Sequence, residues 1–137
     1  MAHAISAICY GLVAAGAVIF GAAYVLRGRL MPYHEEALGR GFGDLDARLQ
    51  TLLVAMLRVG GGEMLVCGLS LALLIGLSFR DGDGWTIWAM PLLALGIAVP
   101  NIYATTFVRR RTGAHTPVGV ASVGVVLIVV GAVLSLL

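Results

Sequence analysis

Four long apolar stretches divide the chain: Ala4–Leu26, Val59–Phe79, Gly84–Val108 and Thr116–Leu137, of 23, 21, 25 and 22 residues. Only Glu63 places a charge inside them. A hydrocarbon core of ~30 Å is crossed by about 20 helical residues, so each stretch is long enough to span one. In lipid the backbone must satisfy its hydrogen bonds within its own segment, which makes isolated spans helices. Short alternating segments of the kind a barrel needs are not visible. The pattern therefore predicts an all-α integral membrane protein, a compact four-transmembrane-helix bundle forming a single domain over residues 1–137.

The second span carries more helical pattern than it needs. Leu45, Leu49, Leu52, Leu53 and Met56 recur at helical spacing, with Arg48, Gln50 and Thr51 off that face. Asp44 suits an N-cap. One helix from Leu45 to Phe79 would be ~52 Å long, well beyond the hydrocarbon thickness. Gly60, Gly61 and Gly62 offer a place to break it, since glycine costs ~1 kcal/mol in a helix interior. Such a helix must tilt steeply, project into the cytoplasm or break. The favoured expectation is a short amphipathic interfacial segment, a bend at the three glycines and then the span; the alternative is one helix extending beyond the inner interface.

Arginine placement sets the orientation. The first connection carries Arg27, Arg29, Arg40 and Arg48, leaving aside Arg58 at its end (loop 27–58), and the connection 109–115 carries Arg109, Arg110 and Arg111. Against these seven stands Arg80 alone in the second connection, and neither tail carries an arginine. Positive residues collect on the cytoplasmic side, so both termini are expected outside and both arginine-bearing loops inside, in the cell (inner) membrane. Trp85 and Trp88 then fall at the outer interface, where indoles anchor. The turn from Arg80 to Gly84, with its aspartates and glycines, suits a reversal. Arg58 lies 22 residues before Arg80, ~33 Å along a helix, and so reads as an anchor at the inner interface, snorkelling to phosphate.

Composition agrees. The chain is 60% hydrophobic and 12% charged, half the ~25% charge of a soluble domain. All nine basic residues are arginines and the net charge is +2, too little for the dense basic face that nucleic acid requires. Ala4–Leu26 is too long for a signal core and has no preceding Lys or Arg, so it reads as a retained span. Cys9 and Cys67 fall at different depths and are expected to remain unbridged.

Glu63 is the one charge at membrane depth, ~7.5 Å past Arg58 and turned 140° from it. On the third span Asn101 and Tyr103 reach comparable depth, and Pro100 frees the Gly96 carbonyl. Glu63, Asn101 and Tyr103 are therefore the candidate ligand or proton site, or else the polar glue between helices. Small residues repeat at Ala7/Gly11/Ala15, at Gly68/Ala72/Gly76 and along Ala121/Gly124/Gly131/Ser135. Such faces admit close helix approach, and three of them leave one for a second copy or another membrane subunit.

Other chemistry has no footing. His34 with Glu35 or Glu36 and His115 lacks a metal-binding spacing, so the loop is expected to be solvated. Gly39–Gly43 follows no strand and lacks the phosphate-loop lysine. His3, His34 and His115 all lie at or beyond the interfaces, which excludes bis-histidine haem. No serine or cysteine has a matched histidine, so no catalytic residue, metal or cofactor is expected. Four short helices in so small a chain resemble the build of the membrane-associated eicosanoid and glutathione enzymes, whose second helix is rich in Arg, Asn and Glu. Ala47–Arg58 lacks the asparagine and the polar run, so the likeness is architectural and implies no activity. The expected function is a non-enzymatic subunit or assembly partner of a membrane complex or homo-oligomer, in contact with membrane lipid. The alternative is a small transport or ligand-binding protein centred on Glu63.

Overall fold

The computed structural model describes residues 1–79, 81 and 83–137; Arg80 and Gly82, in the second connection, lie outside the described residues. Among the described residues all regular structure is helical. The order is α1 (Ala2–Leu26), α2 (Pro32–Leu38), a 3-10 turn (Phe42–Asp44), α3 (Ala47–Leu74) running into a π turn (Ile75–Phe79), α4 (Thr86–Thr112) and α5 (Val118–Ser135). Four helices are long and apolar enough to cross a membrane, and each overlaps one of the apolar stretches seen in the sequence.

Two expectations about the second long helix need correction. The helix is unbroken from Ala47 to Leu74, so the amphipathic segment is its first turns and not a separate element. Its N-cap is Asp46, not Asp44: the Asp46 carboxylate accepts from the Arg48 and Leu49 N–H groups at 3.0 and 3.1 Å. Asp44 instead accepts from the Gly41 N–H and closes the 3-10 turn. Starting the helix two residues later leaves Leu45 free to bury beneath the bundle end, where it is 7% exposed.

The three glycines do not break the helix because the middle one is a packing contact. A Cβ on Gly61 would lie 2.6 Å from Tyr24 Cβ and 2.8 Å from the Gly21 carbonyl oxygen. A Cβ on Gly21 would in turn meet the Gly61 carbonyl at 2.7 Å. Two turns on, a Cβ on Gly68 would lie 2.9 Å from the Ala14 carbonyl. The backbones of α1 and α3 thus touch at Gly21/Gly61 and Ala14/Gly68, where side chains would hold them apart. Gly60 and Gly62 face open space.

α1 is the central element, packing chiefly on α3 and α5; α4 lies mainly against α5, and α3 touches α4 least of the neighbouring pairs. The core lies in the half of the bundle that carries both termini. Tyr10, Leu71, Phe79, Met90, Ala94 and Ile128 are buried there, with Tyr10 edge-on to Phe79 at 5.7 Å. Ser6 Oγ donates to the Gly131 carbonyl at 2.6 Å, and the His3 ring stacks on Phe79. Small residues serve unequally: Gly68, Gly131 and Ser135 are buried, while Ala72 and Gly76 are exposed. Cys9 and Cys67 are free thiols.

The glycine contacts make a position-specific prediction. Gly61→Ala should destabilise the protein in detergent by about 1–3 kcal/mol, because the methyl group meets backbone that cannot move aside. Gly60→Ala and Gly62→Ala should each stabilise by up to ~1 kcal/mol through helix propensity. Equal effects at the three positions in a thermal or denaturant titration would contradict the α1–α3 contact.

Candidate functional site

Glu63 lies two residues from Gly61, ~200° around the helix. With Gly61 held against α1, Glu63 is carried to the opposite side, and it is exposed. It makes no hydrogen bond or ion pair among the described residues. It sits within a stripe of outward apolar residues, Met56, Val59, Val66 and Leu73 on α3 and Leu77 in the π turn that follows, each over 60% exposed.

Asn101 and Tyr103 do not join it. Asn101 Nδ2 donates to the carbonyl of Ile97 in its own helix at 2.9 Å. Tyr103 is 69% exposed and stacks on Phe107, whose ring lies under the Arg111 guanidinium at 5.7 Å. The expected cluster of Glu63, Asn101 and Tyr103 is therefore not assembled within one chain. The depth comparison behind it ignored rotation: Asn101 and Tyr103, two residues apart, also point ~200° from one another.

Asn101 belongs to a different feature. In the half of the bundle away from the termini, a cavity of about 140 Å³ lies between α1, α4 and α5, with Met64 of α3 on its wall. Its sides are apolar or small, among them Gly16, Phe20, Ala98 and Gly124. Its polar lining is Tyr24, Asn101 and Thr105, all toward the α2 end.

The α2 end is closed by an ordered cap. The Tyr24 hydroxyl pairs with the Tyr33 hydroxyl on α2, and the His34 ring lies edge-on to that of Tyr33 at 4.2 Å. Glu36 reaches the α4–α5 connection: its Oε2 accepts from the His115 N–H at 3.0 Å and its Oε1 from His115 Nδ1 at 2.7 Å. Arg29 donates to Glu35 at 3.0 Å. Leu30, Met31, Ala114 and Thr116 are buried beneath. The loop read as solvated is thus a docked helix, with Pro32 at its first turn and Gly39 at φ 65° ending it. Seven residues with two glutamates give no hydrophobic period, which hides α2 from pattern reading.

Burial pushes the Tyr33 hydroxyl pKa up, helped by its partner Tyr24. Burial lowers the His34 pKa below its ordinary 6.5, and His34 Nδ1 is buried without a partner among the described residues. The Glu36 carboxyl is held below its ordinary range, first by the His115 N–H and then by the ring.

The three residues expected to be anchors lie toward the two ends. Arg58 shares a surface groove with Gly28 and Phe42 near the α2 end. Trp85 and Trp88, at the start of α4, are 55% and 71% exposed. Among the described residues no group of three His, Cys, Asp or Glu side chains is placed to hold a metal ion. Compared with known proteins, the chain matches no protein family, no curated protein and no solved structure.

The His34 environment gives α2 a pH dependence. With a docked-state pKa below the free value of 6.5, docking is fully favoured above that value and weakens as pH falls through and below it. Glu36 stays ionised in this window. Hydrogen exchange of α2 amides, corrected for intrinsic rates, should accelerate from about pH 7.5 to about pH 5. His34→Phe should remove the acceleration; an unchanged pH dependence in that variant would exclude His34 as its source.

Proposed function

We propose that the protein is a non-enzymatic membrane subunit that assembles with a second copy of itself through the outward face of α3. The observation that carries the reading is Glu63: a carboxyl without a partner among the described residues, exposed on a face of Met, Val and Leu that also carries Ser70.

Membrane insertion is the first part of the proposal. Four helices of 25, 31, 27 and 18 residues with strongly apolar windows support it. Their outward surfaces, rich in Val and Leu, suit acyl chains as solvent. Arginine bias supports an orientation in the cell membrane with both termini outside and the α2 end in the cytoplasm. Arg58 then lies near the inner phosphates, and Trp85 and Trp88 near the outer interface.

In that setting a carboxyl group turned to acyl chains is expensive unless it finds a hydrogen-bonding partner. No other charge lies in the apolar stretches. A neutral carboxyl is both donor and acceptor, so it complements itself across a two-fold axis, the commonest symmetry of soluble oligomers. Val66, one turn away, lies on the same stripe.

The reading predicts where copies meet. In a chain with Cys9 and Cys67 replaced by alanine, Val66→Cys should oxidise to a disulfide-linked species of twice the 14.2 kDa chain mass. Val126→Cys, on the outward face of α5, should not. Glu63→Gln keeps a reciprocal donor and acceptor and should retain the dimer. Glu63→Leu should weaken it about threefold to tenfold, since interhelical hydrogen bonds average ~0.6 kcal/mol each. Equal cross-linking at both cysteine positions, or none at either, would contradict the α3 interface.

A further inference from the structure

We infer that the cavity between α1, α4 and α5 is a binding site for a small lipophilic alcohol, of the size and class of a phenol. The inference is independent of self-association, because the cavity lies between α1, α4 and α5 while Glu63 lies on the outward side of α3.

Size sets the body of the ligand. The cavity measures about 140 Å³, and a dry protein cavity of ~150 Å³ accommodates one benzene ring. The space exists because side chains are missing from its walls: a Cβ at Gly16 or at Gly124 would meet nothing within 4 Å. From Val13 to Tyr24 the α1 wall extends ~16 Å, so the site is a slot, apolar along most of its length.

Hydrogen bonding sets the head group. Of the three polar residues on the lining, two are hydroxyls already hydrogen-bonded within the protein, each keeping a lone pair that can also accept. Thr105 Oγ1 donates to the Asn101 carbonyl at 2.7 Å, and the Tyr24 hydroxyl is paired with Tyr33. Asn101 is different. Because Nδ2 donates to the Ile97 carbonyl, the amide orientation is fixed, and Oδ1 accepts nothing among the described residues. An acceptor at the polar end of an apolar slot selects a ligand with one hydroxyl donor on an apolar ring. Neither a bare hydrocarbon nor an anion meets both conditions: the first leaves Oδ1 unpaired, and the second brings charge to an acceptor.

The test uses the full chain in lipid nanodiscs, with para-fluorophenol and fluorobenzene as probes read by fluorine NMR. The expected result is saturable binding of para-fluorophenol above the partitioning seen in empty nanodiscs, with fluorobenzene weaker. Asn101→Leu should weaken para-fluorophenol by about tenfold, the worth of one hydrogen bond, and leave fluorobenzene unchanged. Gly124→Leu fills the slot from α5 and should abolish binding while raising the melting temperature. Gly16→Leu fills it from α1 and is the second variant, should the first misfold. Absence of saturable binding, binding that survives a folded cavity-filling variant, or equal affinity for the two probes would each overturn the inference.

Discussion

The backbone contact between α1 and α3 is the interaction on which the remaining arrangement depends. Among acyl chains, burying leucine against leucine gains little over burying it in lipid, so helices associate where backbones approach and van der Waals contact is dense. Gly21, Gly61 and Gly68 provide that approach, each with neighbouring backbone where a Cβ would sit. This contact fixes the rotation of α3 about its axis, and the rotation decides what the helix offers elsewhere. Gly61 toward α1 means Glu63 away from it.

From this contact the molecule divides along its length. Toward the termini, aromatic and branched residues fill the interior around Tyr10 and Phe79. Toward the α2 end, glycine and alanine line the facing helices and a cavity remains. Packing density and polar capping are therefore inversely arranged: the filled half is tied by Ser6 to Gly131 and His3 to Phe79, while the open half is covered by α2 through Tyr33 and Glu36. A covered, loosely filled end is suited to admitting a small molecule, and a rigid opposite end keeps the bundle together while it does so.

The architecture was legible because span length and apolarity are one-dimensional properties. Each of the four apolar stretches falls largely within one long helix. What depends on rotation or tertiary context was not legible. Small residues recur on every span, so Ala7, Gly11 and Ala15 looked as good a face as Ala14, Ala17 and Gly21, which α3 in fact uses. Asp44 and Asp46 are both sound caps, and burial of Leu45 decided between them. The three glycines looked like a hinge because their low helix propensity was visible and the partner of Gly61 was not. Asn101 was singled out as a polar group within an apolar stretch, yet assigned to Glu63 on depth alone. Tyr24, Tyr33, His34 and Thr105 were missed as partners of the cavity end. The one available signal was that two tyrosines and a histidine cluster within a charged loop and the adjoining helix end.

The proposed pairing of Glu63 between copies presupposes that the bundle crosses a bilayer, and the proposed orientation puts its α2 end in the cytoplasm. The most direct measurement is labelling of single cysteines by a membrane-impermeant maleimide in intact cells, in a chain with Cys9 and Cys67 replaced by alanine. Cysteines placed at Ala2, Asp83 and Leu136 should label from outside, those at Arg40 and Gly113 only after permeabilisation, and one at Val129 in neither condition. Labelling of position 40 from outside, or of position 136 only after permeabilisation, would contradict the account.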